Sequence, residues 1–126
     1  LMHVSGVALD GPDLPVPGAV APYVALAIHE LSTNALKYGA LRTPEGEVRL
    51  TWQAVEPHRL EMVWSERGCA PCDHSKAPGF GTTLLTKIFS AATGGTVALV
   101  PTADGLSWTA NFSIRPSLAM GDAPHG

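Results

Sequence analysis

The chain has 126 residues, of which 45% are hydrophobic and 15% charged, and its formal net charge is −3. These values fit one globular domain with a single core and exclude a disordered chain. The small negative charge gives no electrostatic reason to expect nucleic acid or an anionic membrane as a partner. No apolar run approaches the roughly 20 residues that a membrane-spanning helix needs.

Two features bear on the origin of the chain. It begins at Leu1 without an initiator methionine and without the basic and apolar regions of a signal peptide. It has two cysteines, too few for a disulfide scaffold, so a reducing compartment is the default. We therefore expect a piece of a longer protein, located in the cytoplasm and without direct membrane contact.

The first third of the chain predicts a strand followed by a long helix. Residues 2–9 favour a strand, and the Gly-Pro and Pro-x-Pro signals at 11–17 favour a loop. From about Gly18 to Tyr38 the apolar residues recur at helical spacing, and Gly39 provides a C-terminal stop.

The rest of the chain predicts two hairpins separated by a loop and a second helix. Apolar residues alternate in both hairpins, and Gly94-Gly95 closes the second helix. The elements are strands around 48–52 and 60–64, a glycine- and proline-rich loop at 68–81, a helix at 82–92, and strands at 96–100 and 106–114.

This order of elements predicts the fold class. Helices grouped with adjacent antiparallel strands, rather than alternating strand–helix–strand units, favour an α+β two-layer sandwich over a Rossmann domain. We expect one domain over residues 1–116 and a C-terminal tail over 117–126.

The first predicted helix carries a polar stripe. At about 100° per residue, Glu30, Asn34 and Lys37 lie within roughly 60° of one another, beside the apolar stripe. An amide oxygen, a compact cation and a carboxylate suit Mg²⁺ and the phosphates of a nucleotide. The alternative is a solvated helix face with a Glu–Lys ion pair.

Glycines mark two further candidate positions. Gly68 follows the strand end Trp64-Ser65-Glu66, where it would let the backbone approach a flat ligand while the carboxylate accepts a hydrogen bond from an amine. Gly79-Phe80-Gly81-Thr82 leads into the second helix, whose free N–H groups could bind an anion. An ordinary turn with Thr82 as helix N-cap explains the same residues. The chain has no Walker A motif.

Together these pieces resemble the ATP-binding domain that histidine kinases share with DNA gyrase and the heat-shock chaperones. The helix motif is His-Glu-Leu-Ser-Thr-Asn-Ala-Leu-Lys-Tyr-Gly-Ala-Leu at 29–41. With Trp64-Ser65-Glu66 it resembles the subgroup of histidine kinases called HWE. The resemblance covers nearly the whole chain and implies the Bergerat-type fold, a mixed and mostly antiparallel sheet with helices on one face.

The resemblance also implies roles at the phosphate end of the site. Asn34 would bind Mg²⁺, and Glu30 would lie beside the transferring phosphoryl group. Lys37 and Tyr38 would contact phosphate or line the nucleotide pocket. His29 precedes Glu30 and would help to orient the phosphate end, although a histidine in a helix is usually structural.

Further roles implied by the resemblance concern the base and a mobile lid. Glu66 would take the place of an aspartate that reads the adenine amine, followed by Gly68. Thr109 would help to hold a water molecule on the adenine side. Gly79 and Gly81 would border the mobile lid over the triphosphate, with Thr82 next to Gly81. Phe80 would lie in the lid and could fold over the nucleotide or dock on a partner domain.

Cysteine stands at one position where the resemblance implies glycine. Cys69 follows Gly68 and would stiffen the start of the lid. Cys69, Cys72 and His74 could form half a metal site or a redox pair, but one Cys-x-x-Cys without further ligands favours two free thiols.

The expected function follows from the resemblance. The domain would bind Mg²⁺-ATP and transfer the γ-phosphoryl group to a histidine on a separate dimerisation domain, from which it passes to an aspartate of a response regulator. No histidine of this chain stands in a suitable acceptor context. The alternatives are a non-catalytic docking module of the same fold and a serine kinase that acts on an anti-sigma partner.

Overall fold

The computed structural model describes residues 2–4, 6–56, 58–69 and 79–114. Six strands form one sheet: β1 (Met2–Val4), β2 (Val7–Asp10), β3 (Glu47–Glu56), β4 (Arg59–Arg67), β5 (Thr96–Thr102) and β6 (Gly105–Ser113). The helices are α1 (Ala21–Tyr38), α2 (Gly79–Thr83) and α3 (Phe89–Thr93), with a 3₁₀ turn at Ala40–Arg42 and a π-helical turn at Leu84–Ile88.

The sheet is mixed and mostly antiparallel, as predicted. Its strand order is β1-β2-β3-β4-β6-β5, and only the β2–β3 pair is parallel. Side chains alternate between the two faces of a strand. One face is therefore buried under the helices, with Trp64 of β4 paired beside Leu50 of β3 and Trp108 of β6.

The core lies between this face and the helices. Leu31 and Ala35 of α1 are completely buried. Phe89 of α3 meets Trp108 and Phe112 in T-shaped contacts, with ring centroids 5.2 and 5.5 Å apart. Burial of each such large apolar side chain contributes about 1.5–3 kcal/mol. The α+β two-layer sandwich is confirmed.

Two predicted boundaries are wrong. The strand predicted over 2–9 is a hairpin, because Gly6 has a φ of 85° and turns β1 back onto β2. The second helix begins at Gly79, not Thr82, so Thr82 is inside the helix and is not its N-cap.

The π-helical turn interrupts the segment that runs from α2 to α3. A π turn leaves the regular hydrogen-bond pattern of an α-helix. Here the buried indole Nε1 of Trp108 donates to the carbonyl oxygen of Leu85 at 2.8 Å. Trp108 thus compensates for the irregular turn from the neighbouring sheet.

Some predicted features lie outside the described residues. These are most of the proposed lid, including Cys72 and His74, and the tail at 117–126. Within the described ranges, no helix has both the length and the apolarity to cross a membrane.

Candidate functional site

Glu30 and Gly81 are brought into contact. Glu30 lies on the flank of α1 that faces α2, which we call the α2 flank. A Cβ atom on Gly81 would collide with Glu30 Oε2 and lie 2.7 Å from its Cδ. The absence of a side chain at position 81 therefore lets the first turn of α2 reach the carboxylate, and the structure joins two residues that the sequence placed in one site.

Asn34 lies one helical turn after Glu30 on the same flank. It is 7% exposed, and its Oδ1 has no hydrogen-bond partner. Leaving a buried carbonyl oxygen unpaired costs about 1–3 kcal/mol, so this atom is available to a cation.

The described donor set fits Mg²⁺ held mainly by a nucleotide. Mg²⁺ prefers oxygen ligands and usually keeps waters and substrate phosphates alongside one or two protein ligands. Oδ1 of Asn34 is such a ligand. Within residues 2–4, 6–56, 58–69 and 79–114, no group of three or more His, Cys, Asp or Glu side chains could hold a metal by itself.

The end of α1 carries two more predicted residues. Lys37 is exposed in the last turn, where a cation is favourable beside the free carbonyl groups of a helix C-terminus. Tyr38 is half-buried, and Gly39 ends the helix as predicted, with extended backbone angles (φ −126°, ψ −150°). Lys37 is therefore accessible to solvent at the C-terminal end of α1.

Glu66 lies at the end of β4 and is only 1% exposed. Its Oε1 accepts a hydrogen bond from the backbone N–H of Ala40 at 3.1 Å. Its Oε2 accepts one from Nε1 of Trp64 at 2.7 Å. The carboxylate thereby ties the strand end to the turn that follows α1.

Gly68 and Cys69 are anchored to the turn between β5 and β6. Gly68 has a φ of 75°, and a Cβ atom there would lie 2.6 Å from the carbonyl oxygen of Glu45. The close approach predicted at Gly68 is thus to the protein's own backbone. The N–H groups of Gly68 and Cys69 donate to Oδ2 and the carbonyl oxygen of Asp104 at 3.3 and 2.9 Å. The Cys69 side chain is buried in the core.

His29 lies apart from this site. It lines a cavity of about 640 Å³ on the opposite flank of α1, which we call the apolar groove. Ile28, Ser32 and Leu36 line it from the helix. Trp52 lines it from β3, and its Nε1 donates to the carbonyl oxygen of Pro12 at 2.7 Å. The structure therefore does not bring His29 together with Glu30 and Asn34.

Thr109 is also misplaced by the sequence-based interpretation. Its neighbours Trp108 and Ala110 are completely buried under the helices. Since successive side chains of a strand point to opposite faces, Thr109 lies on the face of the sheet away from the helices and from Glu30, Asn34 and Glu66. The alternation of Leu106, Trp108, Ala110 and Phe112 in the sequence carried this signal.

The lid motif is placed only in part. Gly79 and Phe80 form the start of α2, but the side chain of Phe80 is outside the description. Thr82 is exposed on α2. The contact with Glu30 at Gly81 is the part of this motif that the structure ties to the site.

Sequence analysis missed three residues around the site. Trp64 was given no role of its own beside Glu66, although its spacing of two from Glu66 on a strand puts both on one face. Asp104 carried no motif. Thr43, three residues after Ala40, has a buried hydroxyl oxygen without a partner.

Two curated relatives are blue-light-activated histidine kinases. The one from Brucella anthropi is 33% identical over 87 residues, 67% of this chain and 18% of that protein. The one from Erythrobacter litoralis, named blue-light-activated histidine kinase 1, is 33% identical over 91 residues, 70% of this chain and 25% of the relative. The chain thus spans a quarter or less of these relatives. It matches no family model.

Solved structures share the fold. The histidine kinase domain from Erythrobacter litoralis EL346 blue-light activated histidine kinase superposes with a TM-score of 0.69 at 19% identity, over 86% of this chain and 54% of that one. The catalytic domain of histidine kinase ThkA gives 0.64 at 12% identity, over 88% and 80%. At these identities the likeness concerns the fold.

Proposed function

We propose that this chain, which belongs to the family of histidine kinase catalytic domains, binds Mg²⁺-ATP and donates its γ-phosphoryl group to a histidine on a separate dimerisation domain. From there the group would pass to an aspartate of a response regulator, in the cytoplasm. The observation that carries the proposal is the unpaired, buried Oδ1 of Asn34 on the same flank as Glu30.

The phosphate end of the site would be formed by α1 and α2. Asn34 would hold Mg²⁺, which neutralises charge on the phosphate oxygens when bound. Lys37, exposed one turn further along the helix, would contact a phosphate oxygen. Phosphoryl transfer needs mainly positioning and charge neutralisation, and these side chains supply both.

Glu30 would act at the acceptor. Its carboxylate lies against the backbone of Gly81. From there it would accept a hydrogen bond from one N–H group of the acceptor imidazole and so make the other nitrogen a better nucleophile. The bond from the γ-phosphorus to its bridging oxygen would break as the phosphorus–nitrogen bond forms, and ADP would leave. The proton of the imidazole N–H group would pass to the Glu30 carboxylate.

Glu66 and Gly68 would form the base end. The Glu66 carboxylate is held at the end of β4. It would accept a hydrogen bond from the exocyclic amine of adenine. Tyr38, the half-buried last residue of α1, would line the pocket.

Thermal unfolding with and without Mg²⁺-ATP tests the proposal. A ligand at 100 times its Kd stabilises a domain by about 2.7 kcal/mol, or roughly 10 °C in Tm for a domain of this size. Asn34→Ala should remove most of that shift, with a loss of affinity on the order of 100-fold, as expected for a group that binds the metal. Without ligand, its Tm should stay close to that of the wild type, because no hydrogen bond of Oδ1 is lost.

Asn111→Ala is the matched control. Asn111 lies on the exposed face of β6 and accepts a hydrogen bond from Nε of Arg59 at 2.8 Å. The Asn111→Ala variant should show the same rise in Tm with Mg²⁺-ATP as the wild type. If Mg²⁺-ATP stabilises neither the wild type nor the control, the domain is a docking module without nucleotide.

A further inference from the structure

Glu66 and Trp64 occupy one rigid strand end. Both side chains point to the helix side of β4, and Trp64 is completely buried. Gly105 of the neighbouring β6 packs so closely that a Cβ atom there would overlap the carbonyl oxygen of Glu66. The backbone that carries the carboxylate therefore has little freedom to move.

Two donors from different elements hold the carboxylate. The indole N–H of Trp64 comes from the same strand, and the N–H of Ala40 from the turn after α1. Each binds a different oxygen, so together they fix both the position and the plane of the carboxylate. The 2.7 Å distance from Trp64 is typical of a strong hydrogen bond to a charged acceptor.

The carboxylate nevertheless keeps unused acceptor capacity. An ionised carboxylate has about four lone-pair sites, and the two donors fill two of them. The salt bridge found among the described residues joins Arg67 to Glu47, not to Glu66. A buried charge without a cation is costly.

Trp108 shows what a structural indole does in the same sheet. It is as completely buried as Trp64 and lies beside it in the β4–β6 pair. Its N–H, however, donates to a main-chain carbonyl oxygen, that of Leu85. The two tryptophans therefore differ in acceptor rather than in burial.

We propose that Trp64 is a positioning residue that gives the site its selectivity for a base with an exocyclic amine. Its N–H fixes Oε2 of Glu66, so that the remaining lone pairs of the carboxylate face the base. The inference rests on the proposed nucleotide binding. It concerns which base is chosen, not whether Mg²⁺ and phosphate are bound.

Binding of ATP and ITP to the chain tests this. ITP has a carbonyl oxygen in place of the amine of ATP, so it cannot donate to Glu66. We expect the wild type to prefer ATP by at least about tenfold, as for one hydrogen bond to a charged group. Trp64→Phe keeps a ring but removes the donor, and should bring the two Kd values to within about threefold.

Four further variants complete the experiment. Trp108→Phe should lower Tm and keep the ATP/ITP ratio. Glu66→Gln should abolish the preference for ATP over ITP. The double variant that also carries Trp64→Phe should show no further loss of preference, because the two residues act as one unit. Glu66→Asp withdraws the carboxylate from both donors and should weaken the ratio, which decides the matter should Trp64→Phe fail to fold.

The opposing results are distinct. An unchanged ratio in Trp64→Phe or in Glu66→Asp, or an equal loss of ratio in Trp108→Phe, would overturn the role of Trp64. If Mg²⁺-ATP binds and depends on Asn34 while this ratio stays fixed, only the present inference fails. A wild type that binds no nucleotide overturns both.

Discussion

On its α2 flank, helix α1 places Glu30 against the backbone of Gly81 and leaves an oxygen of Asn34 unpaired. On the opposite flank of the same helix, Ile28 and Leu36 line the apolar groove. The first flank meets a glycine, so polar groups can approach another element closely. The second faces strands and a proline-rich segment without filling the space between them. The two flanks of α1 therefore differ in the size of the residues that face them from other elements, not in the periodicity of the helix itself.

The largest effect should come from filling the contact on the α2 flank. In Gly81→Ala the new methyl group would push the Glu30 carboxylate aside. We expect phosphoryl transfer to fall on the order of 100-fold, since a displacement of about 1 Å at a reacting group costs that much. The measurement is transfer of labelled phosphate from ATP to a histidine-bearing dimerisation domain of the parent kinase.

Gly18→Ala is the control for that variant. A Cβ atom at Gly18 has no heavy atom within 4 Å. This substitution should leave transfer unchanged. Equal rates in both alanine variants and the wild type would mean that the contact between Gly81 and Glu30 has no role in transfer.

A smaller effect, on the free energy of unfolding, is expected from removing a side chain that lines the apolar groove. Leu36 is 59% exposed, so Leu36→Ala should change the free energy of unfolding by less than about 0.5 kcal/mol. Leu31, completely buried on the same helix, should lose about 2–5 kcal/mol on the same substitution. Urea unfolding measures both. A cost above about 2 kcal/mol at Leu36 would show that the groove is closed in solution.

The smallest effect is expected at His29. Because it lines the apolar groove, His29→Ala should change Mg²⁺-ATP affinity and phosphoryl transfer by less than about twofold. Calorimetric titration and the transfer assay measure these quantities. A tenfold loss would return His29 to the nucleotide site, as the sequence motif first suggested.

The sequence predicted the elements better than the contacts between them. Periodicity located α1 and the strand faces, because burial repeats along each element. It could not tell which flank of α1 would meet α2, and so grouped His29 with Glu30. It also missed the hydrogen bond from Trp64 to Glu66, because a buried indole looks the same in a sequence whether its N–H group meets a carboxylate or a main-chain oxygen.

The two wrong boundaries have a similar cause. Gly6 and Gly79 are each compatible with a turn or with regular structure, and tertiary packing decides between them. The Thr109 error differs, because the alternating apolar residues of β6 already assigned its face. That part of the site was predictable from strand parity alone.

The π-helical turn at Leu84–Ile88 determines how far α2 is rotated about the helix axis relative to α3. A single residue advances an α-helix by about 100°, and a π turn of this kind accommodates a residue beyond the regular repeat. Phe89 beyond the turn is seated in the aromatic cluster, while Gly81 before it touches Glu30. Deleting one residue from the turn would restore a regular helix and swing Gly81 away from the carboxylate. The π turn therefore lets one continuous helical segment make both contacts, at Gly81 and at Phe89, although the angle between these two residues does not match that of a regular α-helix.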